Sequence, residues 1–231
     1  MAAEEKNISF FDAIAGEYNL LDNAEASNKA VREKVRQRFK ERVHGNRVLD
    51  FGGGTGLDLE WLSKNYLQVC FCEPSEKMRE QAIRLNAEKI KNPSIVFTNN
   101  EQSDFHKWTA NSFPHRMNGV LANFAVLNNI ADMDALFRAF ADVMEPGGII
   151  IANILHPRLF KLYKKHFLKM LVSRLLQRTF TIKLTLHAAK QRIYLHTLSS
   201  LRKSAAPYFE LEAVEDLNGF GFLLVQFRRN N

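Results

Sequence analysis

No apolar run in the chain approaches the ~20 residues needed to cross a bilayer as a helix. The 231 residues carry only two cysteines, Cys70 and Cys72, too few for a disulfide scaffold. They stand two apart in the strand-like run QVCFCEP, so they share one face and are too close to staple distant segments. A metal site would need further ligands beside them, and none is expected. We read them as reduced core thiols of a cytoplasmic protein. The N-terminus, MAAEEKNISFF, lacks the basic-then-apolar order of a signal peptide. Internal repeats and low-complexity linkers are missing as well. With 46% hydrophobic residues, the length suits one large α/β domain with a full core.

Acidic residues are missing from one long segment. Between Pro146 and Phe209 there is no Asp or Glu, yet twelve of the chain's 32 bases lie there. The net charge of +7 therefore belongs to that segment, and the rest of the chain is net acidic.

What is present reads as alternating helix and strand. Residues 7–43 are helical in pattern, and Arg47–Phe51 is a short apolar strand. A helix follows over Asp58–Asn65, then a strand over Leu67–Glu73. Ser75 is a good N-cap for a helix running to about Lys91. Further strands are expected at Ser94–Thr98, Asn118–Asn123 and Ile149–Ile154. An amphipathic helix from Asp132 to Met144 carries Met133, Leu136, Phe137, Phe140 and Met144 at helical spacing. Such alternation predicts a mainly parallel sheet with right-handed connections. The chain ends differently, in two strands, Tyr208–Leu217 and Gly221–Arg228, joined around the hairpin signal Asn218-Gly219.

The run VLDFGGGTGL, residues 48–57, enters a glycine turn after the first strand. A dinucleotide fingerprint needs G-x-G-x-x-G, and here the third glycine comes one position early. A P-loop needs a lysine that does not follow. The pattern is Asp50-x-Gly52-x-Gly54-x-Gly56, which lets backbone approach a ligand closely. An acid just before such a turn would repel a pyrophosphate but suits an ammonium or sulfonium group. The second strand ends at Glu73, 21 residues after Gly52. That is close to the ~20-residue offset at which an acid meets ribose hydroxyls in this architecture.

These motifs resemble those of class I S-adenosylmethionine-dependent methyltransferases. The resemblance rests on VLDFGGGTG, FCEPSEKM, VFTNNEQSDF, GVLANFAVLNNI and VMEPGGIIIANI, in that order, with the closing hairpin. It covers about residues 10–154 and 196–229. It implies a Rossmann-like, mostly parallel seven-stranded sheet in the order 3-2-1-4-5-7-6, strand seven antiparallel. It implies S-adenosylmethionine as cofactor, with Gly52, Gly53, Gly54 and Gly56 lining its methionine and ribose side. Asp50 would face the amino group, Glu73 would take the ribose, and Pro74 and Met78 would border the adenine. Glu101 and Gln102 would face the adenine edge, and Asn123 would lie beside the methionine. Tyr18, in FFDAIAGEYNLLD, would cap the pocket.

Methyl transfer from a sulfonium is an in-line displacement, so alignment and exclusion of water matter most. A general base is needed only if the acceptor must lose a proton. The loop after strand four, Asn123-Phe124-Ala125-Val126, has none of the prolines of the Asn/Asp-Pro-Pro-aromatic loop found in amino-methylating relatives, which points to a small-molecule acceptor. His156, directly after strand five, is the candidate catalytic residue. The competing reading makes it a helix-start residue before Pro157. His187 and His196 are weaker candidates.

The whole chain, 1–231, is expected to form a single domain with an N-terminal helical cap at 1–45 and a basic lid insertion at 156–195. Arg158–Leu171 is amphipathic at helical spacing, and Phe180, Ile182, Leu184 and Leu186 alternate as in a half-buried strand. The bases of the insertion are either solvated or meet an acidic or phosphate-bearing acceptor, carrier- or membrane-associated. Nucleic acid fits less well, because Phe160, Tyr163 and Phe167 fall on the apolar face. The reading is methyl transfer to a small molecule, hydrophobic or acidic. The alternatives are an RNA methyltransferase and a non-catalytic cofactor-binding scaffold.

Overall fold

A computed structural model describes residues 2–19, 26–156, 179–186, 189–217 and 221–231. The amphipathic run Arg158–Leu171, His187 and the Asn218-Gly219 turn lie outside the described residues. Two N-terminal helices come first, α1 (Ala2–Ile14) and α2 (Ala26–Arg42). Then follow β1 (Arg47–Phe51), α3 (Leu59–Asn65), β2 (Gln68–Cys72), α4 (Glu76–Leu85) and β3 (Ile95–Phe97). After β4 (Met117–Ala122) come α5 (Met133–Val143) and β5 (Met144–Leu155). The remaining elements are β6 (Phe180–Leu186), β7 (Ala189–Leu195), α6 (Leu198–Ala205), β8 (Phe209–Asp216) and β9 (Phe222–Arg229).

Seven strands form one sheet in the order β3-β2-β1-β4-β5-β9-β8. Counted among themselves in chain order this is 3-2-1-4-5-7-6, the expected order. β9 runs antiparallel between β5 and β8, and the other β1–β5 neighbours are parallel. The insertion holds two paired strands rather than the one expected: β6 and β7 make a separate antiparallel ribbon.

Period-two alternation divides the core between the two faces of the sheet. Leu49, Cys70, Cys72, Val120, Ile150 and Val225 turn to the face covered by α5 and α6. Val48, Val69, Phe71, Leu121, Ile151 and Leu224 turn to the face covered by α2, α3 and α4. The two cysteines do share a face and are free thiols. Burial pushes the Cys70 thiol up to about 12. On α2, Val31, Val35 and Phe39 recur every fourth residue and are fully buried, so a charged helix still docks by one stripe.

Helix starts follow their caps. Ser75 Oγ accepts from Met78 N–H at 3.3 Å, and Asp132 Oδ1 accepts from Ala135 N–H at 2.9 Å. α4 ends sooner than expected, and a single π-helical turn (Asn86–Ile90) replaces its last residues. β5 begins earlier than expected. It starts at Met144 opposite Met117 and runs through Pro146-Gly147-Gly148, with a register shift before Gly119. Gly147 absorbs that irregularity at φ +75°.

His196, at the end of the ribbon, is buried at 2% exposure. Its Nε2–H is shared between the Leu127 and Ile130 carbonyls, both at 3.1 Å, and its Nδ1 lies 3.0 Å from Thr179 Oγ1. Burial lowers its pKa to about 4, so the ring is neutral and serves as a fastening, not as a base. An unfolded imidazole takes up a proton below about 6.5, while the folded one stays neutral down to about 4. Its stabilising contribution is therefore complete above the unfolded value and is lost as pH falls through this window. His196→Ala is expected to cost about 2–4 kcal/mol at neutral pH. The gap to wild type should narrow at pH 5 in urea unfolding; a gap that widens would show that the ring is charged in the folded state.

Candidate active site

The carboxyl ends of β1, β2 and β4 meet at the edge of the sheet where open α/β folds bind ligands. A cavity of about 430 Å³ opens there. Of the residues expected at the site, Tyr18, Gly52, Gly54, Glu73, Pro74, Met78 and Asn123 line it. α1 adds Glu5, Asn7, Ile8 and Phe11. The segment after β3 adds Asn100, Ser103, Asp104, Phe105 and His106, and the turn after β4 adds Phe124, Val126, Asn129 and Ile130. A small cleft of about 20 Å³ adjoins it, lined by Asp50, Gly52, Gly53, Gly54, Asp58 and Arg32 among others.

The glycine turn is bare because its surroundings leave no room. Gly52 has φ +69°, and a Cβ there would lie 2.5 Å from Val126 Cγ1. At Gly53 a Cβ would run into the Phe71 ring. Gly54, at φ +60°, is different. A Cβ there would meet nothing closer than Tyr18 at 3.8 Å and Met78 Sδ at 3.9 Å, so its backbone faces the cavity.

Two buried carboxylates flank this turn. Glu73 accepts from Gly54 N–H through Oε2 at 2.9 Å and from Ser75 N–H through Oε1 at 2.8 Å. Burial nevertheless raises its pKa to about 7, against the pull of these two amides and of Arg79. Asp50 is 1% exposed, and its Oδ2 has no hydrogen-bond partner among the described residues. Burial first, and then repulsion from Asp58, push its pKa well above the ordinary carboxylate range, opposed by Arg32. A buried acceptor without a partner calls for one, whether a water, an ion or a ligand's donor.

The turn after β4 is held from several sides. Phe124 and Ala125 both have left-handed backbones, φ 54° and 58°, a conformation costly outside glycine. Asn153 on β5 keeps them there: its Oδ1 accepts from Ala125 N–H at 2.8 Å, and its Nδ2 donates to Asn123 Oδ1 at 3.1 Å. Asn123 Nδ2 in turn donates to Asp58 Oδ2 at 2.9 Å. Asp58 also accepts from Arg32 Nη1 at 2.8 Å and from Trp61 Nε1 at 2.9 Å. The Arg32 guanidinium lies 4.2 Å from the centre of the Phe124 ring.

Several expected residues lie elsewhere. Glu101 and Gln102 are exposed and do not line the cavity. Asn99 and Gln102 close a reciprocal turn, Asn99 N–H to Gln102 Oε1 at 3.2 Å and Gln102 N–H to Asn99 Oδ1 at 2.8 Å. That turn sends both side chains outward and leaves the cavity wall to Asn100, Ser103 and Asp104. Arg79 bridges the wall, donating to the Glu73 carbonyl at 2.6 Å and to Asn100 Oδ1. The acid-aromatic pair Asp104-Phe105 was the available signal. Gly56 packs against Leu59 and Ala82 rather than facing the cavity. His156 does not line the cavity either. Its backbone N–H donates to the Gly221 carbonyl at 2.8 Å, and its Nε2 lies 3.5 Å from Asp216 Oδ2, against the closing hairpin. Among the described residues no three His, Cys, Asp or Glu side chains are grouped to hold a metal ion.

Residues 24–205 match the family model described as a methyltransferase domain. The chain belongs to the methyltransferase domain family. Its fold is that of the S-adenosylmethionine-dependent members whose structures are solved. DhpI in complex with SAH shares 18% identity at a TM-score of 0.67, covering 99% of this chain and 97% of that one. An S-adenosylmethionine-dependent methyltransferase from Clostridium acetobutylicum shares 14% at 0.67, covering 96% and 99%. The N-methyltransferase NodS from Bradyrhizobium japonicum, in complex with S-adenosyl-L-homocysteine, shares 11% at 0.57, covering 87% of each. No curated protein matches the chain in sequence.

Asp50 in this methyltransferase fold should cost stability when nothing pairs with it. A carboxylate whose folded pKa is raised destabilises above its unfolded value, and the penalty disappears as pH falls toward that value. Asp50→Asn is therefore expected to stabilise the ligand-free protein by about 1–3 kcal/mol at pH 8, with the gain shrinking toward pH 4. Thermal melts across pH check this, and a variant that melts below wild type at pH 8 would contradict it.

Proposed function

We propose that this methyltransferase transfers the methyl group of S-adenosylmethionine to a small hydrophobic acceptor by in-line displacement. The observation that carries the reading is the buried Oδ2 of Asp50 beside the glycine turn, unpaired among the described residues. A cationic, amino-acid-bearing nucleoside fits these residues. It brings N–H donors for Asp50, cis hydroxyls for Glu73, and a positive charge to a cavity that Glu5, Glu73 and Asp104 line and to which no described Lys or Arg contributes. When bound, S-adenosylmethionine supplies a methyl group already activated on sulfur.

The chain's own residues bind, align and exclude water. Glu73 would hold the ribose hydroxyls, and Gly52, Gly53 and Gly54 would allow backbone to approach the ligand. Pro74, Met78, Asp104 and Phe105 would border the base, in place of Glu101 and Gln102. Tyr18 and Phe11 would cover the ligand from the N-terminal side. The strained Phe124-Ala125 turn would stand beside the reacting sulfur. Ile8, Phe11, Val126 and Ile130 give the remaining wall an apolar character, which supports a hydrophobic acceptor. No described Lys or Arg lines the cavity to pair with an acidic one. The proposal places residues 1–45 as a cap, 156–195 as a lid, and the whole chain as one domain. No described helix is long and apolar enough to cross a membrane.

Isothermal titration with S-adenosylmethionine and with NAD tests the reading. Binding of the first and not the second is expected, and the reverse would sink it. Glu73→Ala should weaken binding by roughly 1.5–3 kcal/mol, the scale of charge-assisted hydrogen bonds. Affinity should also rise with pH. Glu73 in the free protein is protonated below about 7, and only its ionised form accepts from both hydroxyls. Glu73→Gln should flatten that profile; an identical profile in the variant would remove Glu73 from the ribose role.

A further inference from the structure

The cavity is covered by two segments outside the seven-stranded sheet, and one side chain fastens them together. Asn7 on α1 is 3% exposed. Its Oδ1 accepts from the Arg192 backbone N–H at 2.8 Å, and its Nδ2 donates back to the Arg192 carbonyl at 2.9 Å. The amide thus pairs with β7 as a neighbouring strand would. The same Nδ2 donates to the Asn129 carbonyl at 3.2 Å, and Gln191 Nε2 donates to Asn129 Oδ1 at 2.8 Å. Asn7 and Asn129 both line the cavity. One residue of α1 therefore joins the ribbon to the turn after β4, directly over the ligand space.

The rest of α1 is anchored differently. Asp12 Oδ1 accepts from Ser75 Oγ at 2.6 Å and from Lys77 N–H at 3.2 Å, and Gln81 Nε2 donates to the Ala15 carbonyl at 2.6 Å. These bonds hold the C-terminal half of α1 to α4, while Asn7 bonds the N-terminal half to β7. The β6–β7 ribbon also needs a partner, because an isolated two-stranded hairpin is marginal in water. Segments of low local stability are the ones that open for ligand exchange.

We propose that Asn7 is a latch: through it the N-terminal half of α1 and the β6–β7 ribbon hold each other closed against the turn after β4, and the Asn7 bonds set how often the cavity exchanges its ligand. The exchange half rests on the cofactor reading above; the coupling of the two segments does not.

Hydrogen exchange on the ligand-free protein tests the coupling. Asn7→Ala should speed amide exchange in residues 5–11 and 189–195 together, by on the order of ten- to hundredfold, the scale of losing its three buried hydrogen bonds. β1, β2 and β4 should keep their protection. Faster exchange in α1 alone overturns the proposal. Stopped-flow binding of S-adenosylhomocysteine gives the second readout. A latch predicts that association and dissociation both accelerate while affinity stays nearly constant. Faster dissociation alone, with weaker affinity, makes Asn7 an ordinary contact and overturns the latch. Should wild type bind no S-adenosylhomocysteine, the cofactor reading fails and the exchange experiment still decides the coupling. Gln191→Ala is the milder variant if Asn7→Ala does not fold. It should give the same joint acceleration at smaller size, and unchanged exchange in both segments counts against the latch.

Discussion

Glu73 holds two turns at once, and the site is built around that fact. One oxygen takes the amide of Gly54 and the other that of Ser75, so the exits of β1 and β2 are locked in register. The cost is a buried carboxylate whose pKa burial pushes up to about 7. Asp50 adds a second buried carboxyl group on the neighbouring strand, and after burial and Asp58 the nearby Glu73 also raises its pKa. Two buried acids this close form the kind of perturbed cluster that functional sites gather.

The opposite wall is fixed by polar contacts as well as by packing. Asn153, Asn123, Asp58 and Arg32 form one chain of hydrogen bonds from β5 to α2. It holds two non-glycine residues in left-handed conformations. The strain is thus carried by buried amides whose other bonding options are already used. Between this wall and the Glu73 wall the geometry is set by bonds with few alternatives, as alignment-driven chemistry requires.

Much of this was legible in residue order, and the rest was not for identifiable reasons. The period-two runs of β1, β2 and β4 and the offset from Gly52 to Glu73 are local signals. They lead directly to the sheet and to half of the cavity. Glu101 and Gln102 lie off the cavity wall because a two-residue turn, closed by Asn99, decides which side chains face inward. His156 lies off it because β9 pairs with β5 as far as Leu155 and carries the next residue onto the closing hairpin. β7 was missed because Ala189-Lys190-Gln191-Arg192 shows no apolar alternation, and its strand form depends on pairing with β6. Asn7 had no signal at all, being one polar residue in an amphipathic helix whose partner lies 185 positions away.

The insertion is tethered at both ends to one short turn. At its start, the Leu155 N–H donates to Asn128 Oδ1 at 2.9 Å. At its end, His196 grips the carbonyls of Leu127 and Ile130. With both ends pinned to residues 127–130, a change of length between them costs the sheet little more than loop closure. The sheet and the cavity edge are thus insulated from the insertion, and each can change without the other being rebuilt.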